Sequence, residues 1–256
     1  MLKRNTQARR HEIVQRVNQI GEVSVEELSE RFNTSEVTIR KDLSSLEKNG
    51  LLLRRYGGAI SLPKEVVIDE FDKNISIQKI SLAREAAKLI RDHHRIVIDS
   101  GGTTTALIQQ LNEKRGLVVM TNTLQIANAL HELENEPTLL MTGGTWDPHS
   151  ESFQGQVAES VLRSYDFDQL FIGCDGIDLS RGTTTFNELT GLSRVMAEVS
   201  REVVVMAESD KIGRKIPNLE LGWERIDVLV TDSNITDEQV AMIEANQVRV
   251  IQTKVN

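Results

Sequence analysis

The chain has 256 residues, 39% of them hydrophobic and 4% aromatic, with a formal net charge of −8; that length suits one small and one larger domain, and the acidity argues against a molecule lying along nucleic acid over its whole surface. Apolar runs such as Val203 to Ala207 are far too short to span a bilayer, the amino-terminal residues lack an apolar signal core, and the single Cys174 excludes an intrachain disulfide or a cysteine zinc cage. The expectation is a cytoplasmic chain with no membrane partner, no cofactor and, because His11, His93, His94, His131 and His149 show no ligand spacing, no metal.

The first elements are short helices. Ser24-Val25-Glu26-Glu27 has the form of a capping box opening a helix from Val25 to Phe32, and Asn33-Thr34 breaks it before Ser35 or Thr34 caps the next. That next helix, about Ser35 to Asn49, carries Ile39, Leu43 and Leu46 at spacings of four and three, so they share one buried face. Val37, Arg40, Lys41, Ser44 and Lys48 project from the opposite face, with Thr38 on the flank. Cations and hydroxyls there suit a major groove: Arg40 or Lys41 can donate to guanine or phosphate, and an outward Val37 can touch a thymine methyl. Taken alone, such a helix is equally an ordinary charged surface helix.

The residues after the helix favour the DNA reading. Gly50 ends the helix, Leu51 to Arg55 reads as a strand, Tyr56-Gly57-Gly58 as a turn and Ala59 to Leu62 as the returning strand. Such a wing would bring Arg54, Arg55 and Tyr56 to the DNA backbone or minor groove. Residues 1 to 60 hold eleven Lys and Arg against eight Asp and Glu, so the basic surplus is local, and Lys3, Arg4, Arg9 and Arg10 are expected to neutralise phosphates. A polar, pattern-poor stretch from Pro63 to Asn74 then reads as an interdomain connection.

Beyond it, a helix-like segment from Ile77 to His93 leads to a strand at Arg95 to Asp99. Further strands are expected at Leu117 to Met120, Thr138 to Met141, Gln169 to Ile172, Glu202 to Met206, Asp227 to Val230 and Arg249 to Gln252, with helices between most of them. This alternation predicts a doubly wound α/β domain whose ligand sits beyond the carboxyl ends of the strands. At the first such end, Ser100, Gly101, Gly102, Thr103, Thr104 and Thr105 precede a helix expected from Ala106 to Leu111 and form a phosphate-cradle candidate, with amides and three threonine hydroxyls as donors. It is neither a Walker loop nor a dinucleotide fingerprint, and a lone Gly-Gly-Thr is more simply a capped turn. The other strand ends add Thr121 and Asn122, Gly144, Asp175, then Glu188 and Lys211. Together they offer carboxylates for hydroxyls and cations for phosphate, as a phosphorylated polyol requires.

Arg9, Ile13, Val17, Ser35, Thr38, Ile39, Arg40, Lys41, Asp42 and Leu43 stand at the spacing of the helix-turn-helix signature of the DeoR family of bacterial transcriptional regulators, which the chain resembles. Asp99 to Thr104, Met120-Thr121-Asn122, Thr142-Gly143-Gly144 and Ser209-Asp210-Lys211 are similar to that family's sensor domain. Within the family, Ser152-Phe153, Gly155, Asp175 to Leu179 and Phe186-Asn187-Glu188 look closest to repressors of glucitol (sorbitol) and N-acetylgalactosamine operons. The resemblance implies a winged helix-turn-helix domain over residues 1–62 (helix-turn-helix about 22–41), a linker over 63–76 and a sensor over 77–256 of the ribose phosphate isomerase/CoA transferase-like type. It further implies a carbohydrate operon repressor, released from double-stranded operator DNA by a phosphorylated sugar or sugar alcohol, acting as a homodimer or homotetramer.

The rival reading is a sugar phosphate isomerase carrying a DNA-binding head. Asp175-Gly176-Ile177-Asp178 resembles the isomerase Asp-Gly-Ala-Asp motif, but Leu179 stands where the isomerase continues with Glu. Thr183-Thr184-Thr185-Phe186-Asn187 replaces its lysine-bearing glycine run. Asp175, Glu188 and Lys211 are therefore read as ligand contacts, and no residue as catalytic.

Overall fold

The computed structural model describes residues 6–48, 52–55, 57–60, 76–148, 150–187, 190–214 and 216–253, and the chain divides into two compact units, 1–66 and 67–256. Tyr56, Glu188, Lys3, Arg4, Gly50, His149, the linker up to residue 75 and the end of the wing at 61–62 lie outside the described residues.

In the first unit, α1 (Thr6–Ile20), β1 (Glu22–Ser24), α2 (Val25–Arg31) and α3 (Glu36–Lys48) are followed by β2 (Leu53–Arg55) and β3 (Gly58–Ile60). Their apolar faces meet in one core: Ile13 and Val17 of α1, Leu28 of α2, and Ile39, Leu43 and Leu46 of α3 are all buried. Truncating a wholly enclosed leucine such as Leu43 to alanine costs about 2–5 kcal/mol. Ser24 caps α2 as expected, accepting from Glu27 N at 3.0 Å. The carboxylate of Glu27, which a full capping box would turn back to Ser24, instead takes two bonds from Arg16 of α1, at 2.8 and 2.6 Å. The wing has a third strand that alternation does not reveal, because β1 is three residues long: β3 pairs with both β2 and β1. Gly58 is what permits this approach, since a β-carbon there would lie 2.2 Å from Val23 O.

The second unit opens with α4 (Ile77–Ala87), capped by Ser76, and β4 (Arg95–Ile98), α5 (Gly102–Ile108), β5 (Val118–Thr121), α6 (Leu124–His131) and β6 (Thr138–Met141). It continues with β7 (Thr145–Asp147), β8 (Ser152–Gln154), α7 (Gln156–Leu162), β9 (Phe167–Ile172), β10 (Gly176–Asp178), β11 (Gly182–Thr185) and α8 (Gly191–Glu198). The last elements are β12 (Ser200–Met206), β13 (Asn218–Gly222), β14 (Val228–Asp232), α9 (Asp237–Glu244) and β15 (Arg249–Thr253).

Seven of these strands form one sheet in the order β15-β14-β12-β9-β4-β5-β6, and every pairing in it is parallel. The sheet is wound in both directions from β4, so its strand order reverses between β4 and β9. A strand-order reversal of this kind is where a parallel α/β sheet leaves room for a ligand, and here it falls just beyond Ile98 and Ile172. Two core clusters, one containing Val97, Leu170 and Val205 and the other Ile96, Ile98, Phe171 and Val204, hold the helices to the sheet. A small antiparallel sheet, β10-β11-β13, and the β7–β8 hairpin lie outside it. Two expected boundaries move. α4 stops at Ala87, where the backbone turns at Lys88 and Leu89, rather than running to His93, and α5 begins at Gly102, four residues earlier than Ala106.

Candidate functional site

On the first unit, α3 presents Val37 at 61% exposure with Arg40 and Lys41 also exposed, while Ser44 and Thr38 are half-buried. An apolar side chain exposed to that degree on a charged face is poorly explained by solvation alone and suits contact with a base methyl. Ser35 Oγ lies 2.9 Å from Thr38 Oγ1 and accepts from Thr38 N at 3.3 Å, so both hydroxyls sit at the start of the helix. Arg40 Nη2 reaches Glu36 Oε2 at 2.8 Å, an exposed pair one turn apart that contributes little and is readily exchanged for phosphate or guanine. On the wing, Arg54 and Arg55 are exposed, and Glu47 steadies the first of them, accepting from its amide at 3.0 Å.

Arg9 and Arg10 are a correction. Both were expected on phosphates, but Arg9 Nε donates to Asp42 Oδ2 at 2.6 Å and Arg10 Nε to Asp42 Oδ1 at 2.8 Å, with Asp42 buried. An enclosed carboxylate needs such partners, so these arginines fasten α1 to α3.

On the second unit, the parallel sheet brings Asp99 to Gly102, Asn122, Gly144, Asp175 and Lys211 to one edge, because each lies past the carboxyl end of a strand. Gly101 has φ 143, a backbone conformation glycine adopts freely, and it turns β4 into α5. The threonines are a second correction: Thr104 Oγ1 and Thr105 Oγ1 both donate to Gly101 O at 2.8 Å, and Thr103, Thr104 and Thr105 are buried. Two of the three hydroxyl protons thus brace the loop instead of pointing at a ligand. Thr121 is wholly enclosed as well, its hydroxyl accepting from Thr123 N at 3.4 Å.

One cation at the loop escapes sequence reasoning. A β-carbon on Gly102 would lie 3.0 Å from Lys79 Nζ, which places this α4 ammonium against the glycine loop. Its only signal in the sequence is a lysine near a helix start, which helix periodicity treats as solvated surface.

Across the crevice, Asn122 Nδ2 donates to Asp99 Oδ1 at 2.8 Å within the interior. Asp175 accepts from Thr185 Oγ1 at 2.8 Å and Phe186 N at 3.0 Å. Lys211 is buried and donates from Nζ to Cys174 O at 2.7 Å, bracing the loop that carries Asp175. Neighbouring Ser209 is occupied elsewhere: its amide and hydroxyl donate to Asp232 at 2.8 and 2.7 Å. Burial alone would raise the Asp232 carboxyl, but these bonds and the Asn234 amide hold it below the usual carboxylate range. Asp178 turns inward to close the β10–β11 turn. Hydrogen bonds from Ser180, above all its hydroxyl, and from Arg181 outweigh burial and bring its carboxyl down to about 2.

A second residue hidden from the sequence is Glu220 of β13. In the pairing of β11 with β13, Thr183 faces Leu221 and Thr184 faces Leu219, so Glu220 is the extra residue of a β-bulge. Its Oε1 accepts from Ser193 Oγ at 2.9 Å. Burial, reinforced by the negative charge of Asp99 and then of Asp175, pushes its carboxyl up to about 8. Hydrogen bonds from Ser193 and Thr183 oppose the shift without cancelling it, so the environment favours the protonated form. A depression of about 390 Å³ at the opposite, amino-terminal end of the strands is lined by Lys88, Gln169, Glu202 and Arg249, among others. Its polar groups are tied together, with Gln169 Nε2 on Glu202 at 2.6 Å and Arg249 3.8 Å from the same carboxylate.

A winged helix-turn-helix with an exposed basic face, joined in one chain to a parallel α/β domain with polar residues gathered past the carboxyl ends of its strands, defines a DNA-binding regulator with a sensor. Comparison with known proteins specifies the family: residues 9–65 match the DeoR-like helix-turn-helix domain and residues 75–233 the DeoR C terminal sensor domain. The chain belongs to the DeoR family. It is 39% identical over 252 residues to a putative aga operon transcriptional repressor of Escherichia coli O157:H7, covering 96% of this chain and 93% of that protein. It is 34% identical over 246 residues to the HTH-type transcriptional regulator YulB of Bacillus subtilis, covering 94% and 95%. Among solved structures, ribose 5-phosphate isomerase A from Methanocaldococcus jannaschii aligns over 52% of this chain and 53% of that one, at 17% identity and a TM-score of 0.38.

Proposed function

We propose that the protein represses a carbohydrate utilisation operon in the cytoplasm and is released from its operator by a phosphorylated sugar or sugar derivative. The observation that carries this reading is the position of Lys79 Nζ against the Gly101-Gly102 loop: a cation beside close-approaching backbone is a phosphate seat, and hydroxyl-binding groups lie across the crevice. Ser100, Gly101, Gly102 and Lys79 take the phosphate, and Asn122, Asp175 and Lys211 line the remainder, with Thr103, Thr104, Thr105 and Thr121 shaping the walls. Gly144 and Glu188 complete the proposed contacts. Ser35, Val37, Thr38, Arg40, Lys41 and Ser44 enter the major groove, and Arg54, Arg55 and Tyr56 flank it. A dimer or tetramer would match repeated half-sites.

The chain is proposed to bind its sugar phosphate without turning it over. The residues that the resembling isomerase motif supplies for proton transfer are replaced here, Leu179 standing where that motif continues with Glu, and Asp178 is held by Ser180 and Arg181. The relative named as an aga operon repressor supports the assignment to sugar metabolism. Mobility shift of fragments from the chain's own promoter, with and without a panel of sugar phosphates, tests the reading. Retarded fragments released by one class of sugar phosphate are expected; fragments that never shift, or a chain that interconverts sugar phosphates, would overturn it.

A further inference from the structure

The reading face of the first unit carries an acid that DNA binding in general disfavours. Glu36 stands first in α3, between Ser35 and Val37, and its side chain is 51% exposed. Phosphates flank any helix that enters a groove, so a carboxylate there is repelled throughout the approach. An acid in the first turn does suit the helix dipole, but that gain is small and is open to an acid on any side of the helix. Glu36 is on the outer side. Residues 35, 36 and 37 and then 40 and 41 are exposed, while Ile39, Asp42 and Leu43 are buried. The first residues of a recognition helix are the ones that reach base edges.

Its partner fixes where the carboxylate sits. Arg40 Nη2 donates to Glu36 Oε2 at 2.8 Å, which holds the two side chains together on one line of the helix. A guanidinium has donors to spare, so Arg40 can keep this contact and still offer others to guanine or phosphate. A carboxylate accepts and cannot donate. The base-edge donors in the major groove are the amino groups of cytosine N4 and adenine N6, and adenine sets its N7 acceptor beside N6, which repels a carboxylate and suits an amide.

We infer that Glu36 is a specificity-determining residue that reads cytosine, accepting from its N4 amino group, and that it rejects the other bases at that position by setting a carboxylate against their acceptors. The inference rests on the proposed entry of α3 into the major groove and adds to it the identity of one base pair. Rejection is the larger part of the effect. Glu36 lowers affinity for duplex DNA in general and lowers it least where a cytosine supplies a proton to share.

Selection of duplexes from a pool randomised across the half-site, followed by sequencing, tests this on the full chain and on E36Q and E36A. The parent is expected to select cytosine at one position at least about tenfold over the other bases, a cost in the range of one mismatched pair. E36Q replaces the carboxylate with an amide that pairs with both N6 and N7 of adenine, so preference at that same position should move from cytosine to adenine while the rest of the site is unchanged. E36A should narrow the preference there to about twofold and bind unselected duplex more tightly than the parent does, the reverse of what loss of a phosphate contact or of a helix start would cause. Variants that select the parent's base at every position, variants that weaken all duplexes equally, or a parent preference other than cytosine at the position E36Q alters, would each overturn the inference and leave the DNA-binding reading intact. A parent chain that selects no sequence would overturn both. E36Q keeps the length and shape of the side chain, so the outcome does not depend on how E36A folds.

Discussion

Arg9 closes on Asp42, Nε to Oδ2 at 2.6 Å, with Asp42 only 2% exposed. The contact joins the first helix to the inner side of the helix whose outer side carries Arg40 and Lys41. The orientation of the reading face therefore depends on a buried ion pair that never touches DNA. Asp42→Asn should destabilise the amino-terminal unit by about 3 kcal/mol, because the largely enclosed Arg9 and the half-buried Arg10 both lose the buried carboxylate they pair with. Chemical denaturation followed by amide hydrogen exchange in α1 and α3 measures this. Exchange unchanged from the parent chain would show that the pair contributes nothing.

Arg40 is exposed and pairs with Glu36 one turn away, a contact with little hold on the fold. Arg40→Ala should leave stability within about 0.5 kcal/mol of the parent and weaken operator binding by about 1–3 kcal/mol. Effector affinity should not change. Fluorescence anisotropy with labelled operator at several salt concentrations checks both the loss and a salt slope lowered by about one.

Lys79→Ala removes the cation beside the Gly101-Gly102 loop and should lower sugar phosphate affinity about tenfold, the size of one charge-assisted contact, without weakening operator binding. The variant would remain on DNA at inducer concentrations that release the parent. Equal inducer affinity in titration would remove Lys79 from the site.

Asp178 ties stability to acid. Its carboxyl is held down to about 2 by Ser180 and Arg181, so its contribution is full above the ordinary value of 3.8 and disappears as pH falls through 2. Asp178→Asn should lose about 2 kcal/mol at pH 7 and show a flatter stability curve between pH 4 and 2. Urea midpoints across that range report the difference, and parallel curves for the two chains would refute it.

Much of this architecture is visible in the primary structure, for physical reasons. The spacing of Ile39, Leu43 and Leu46 reveals α3 because a helix must bury one stripe, and apolar runs such as Val203 to Met206 reveal parallel strands because both their faces are covered. Glycines at several strand ends converge because parallel strands share one carboxyl edge. What stays hidden is set by partners distant in sequence. Arg9 reads as a phosphate ligand until Asp42, thirty-three positions away, is found against it. Thr104 and Thr105 read as donors to a ligand until the helix starts early enough to turn them onto Gly101 O. Glu220 lies in a stretch, Asn218–Gly222, whose alternation suggests nothing unusual, and only the bulge against β11 directs its carboxyl toward Asp99 and Asp175.

One chain that couples a reading head to a metabolite sensor must let each ligand weaken the other by the same factor. Titrating the effector into the protein alone and into the protein saturated with operator tests this coupling most directly. A shift in effector affinity equal to the effector's own shift of operator affinity, on the order of 5- to 150-fold, is expected. An effector affinity indifferent to bound operator would contradict it.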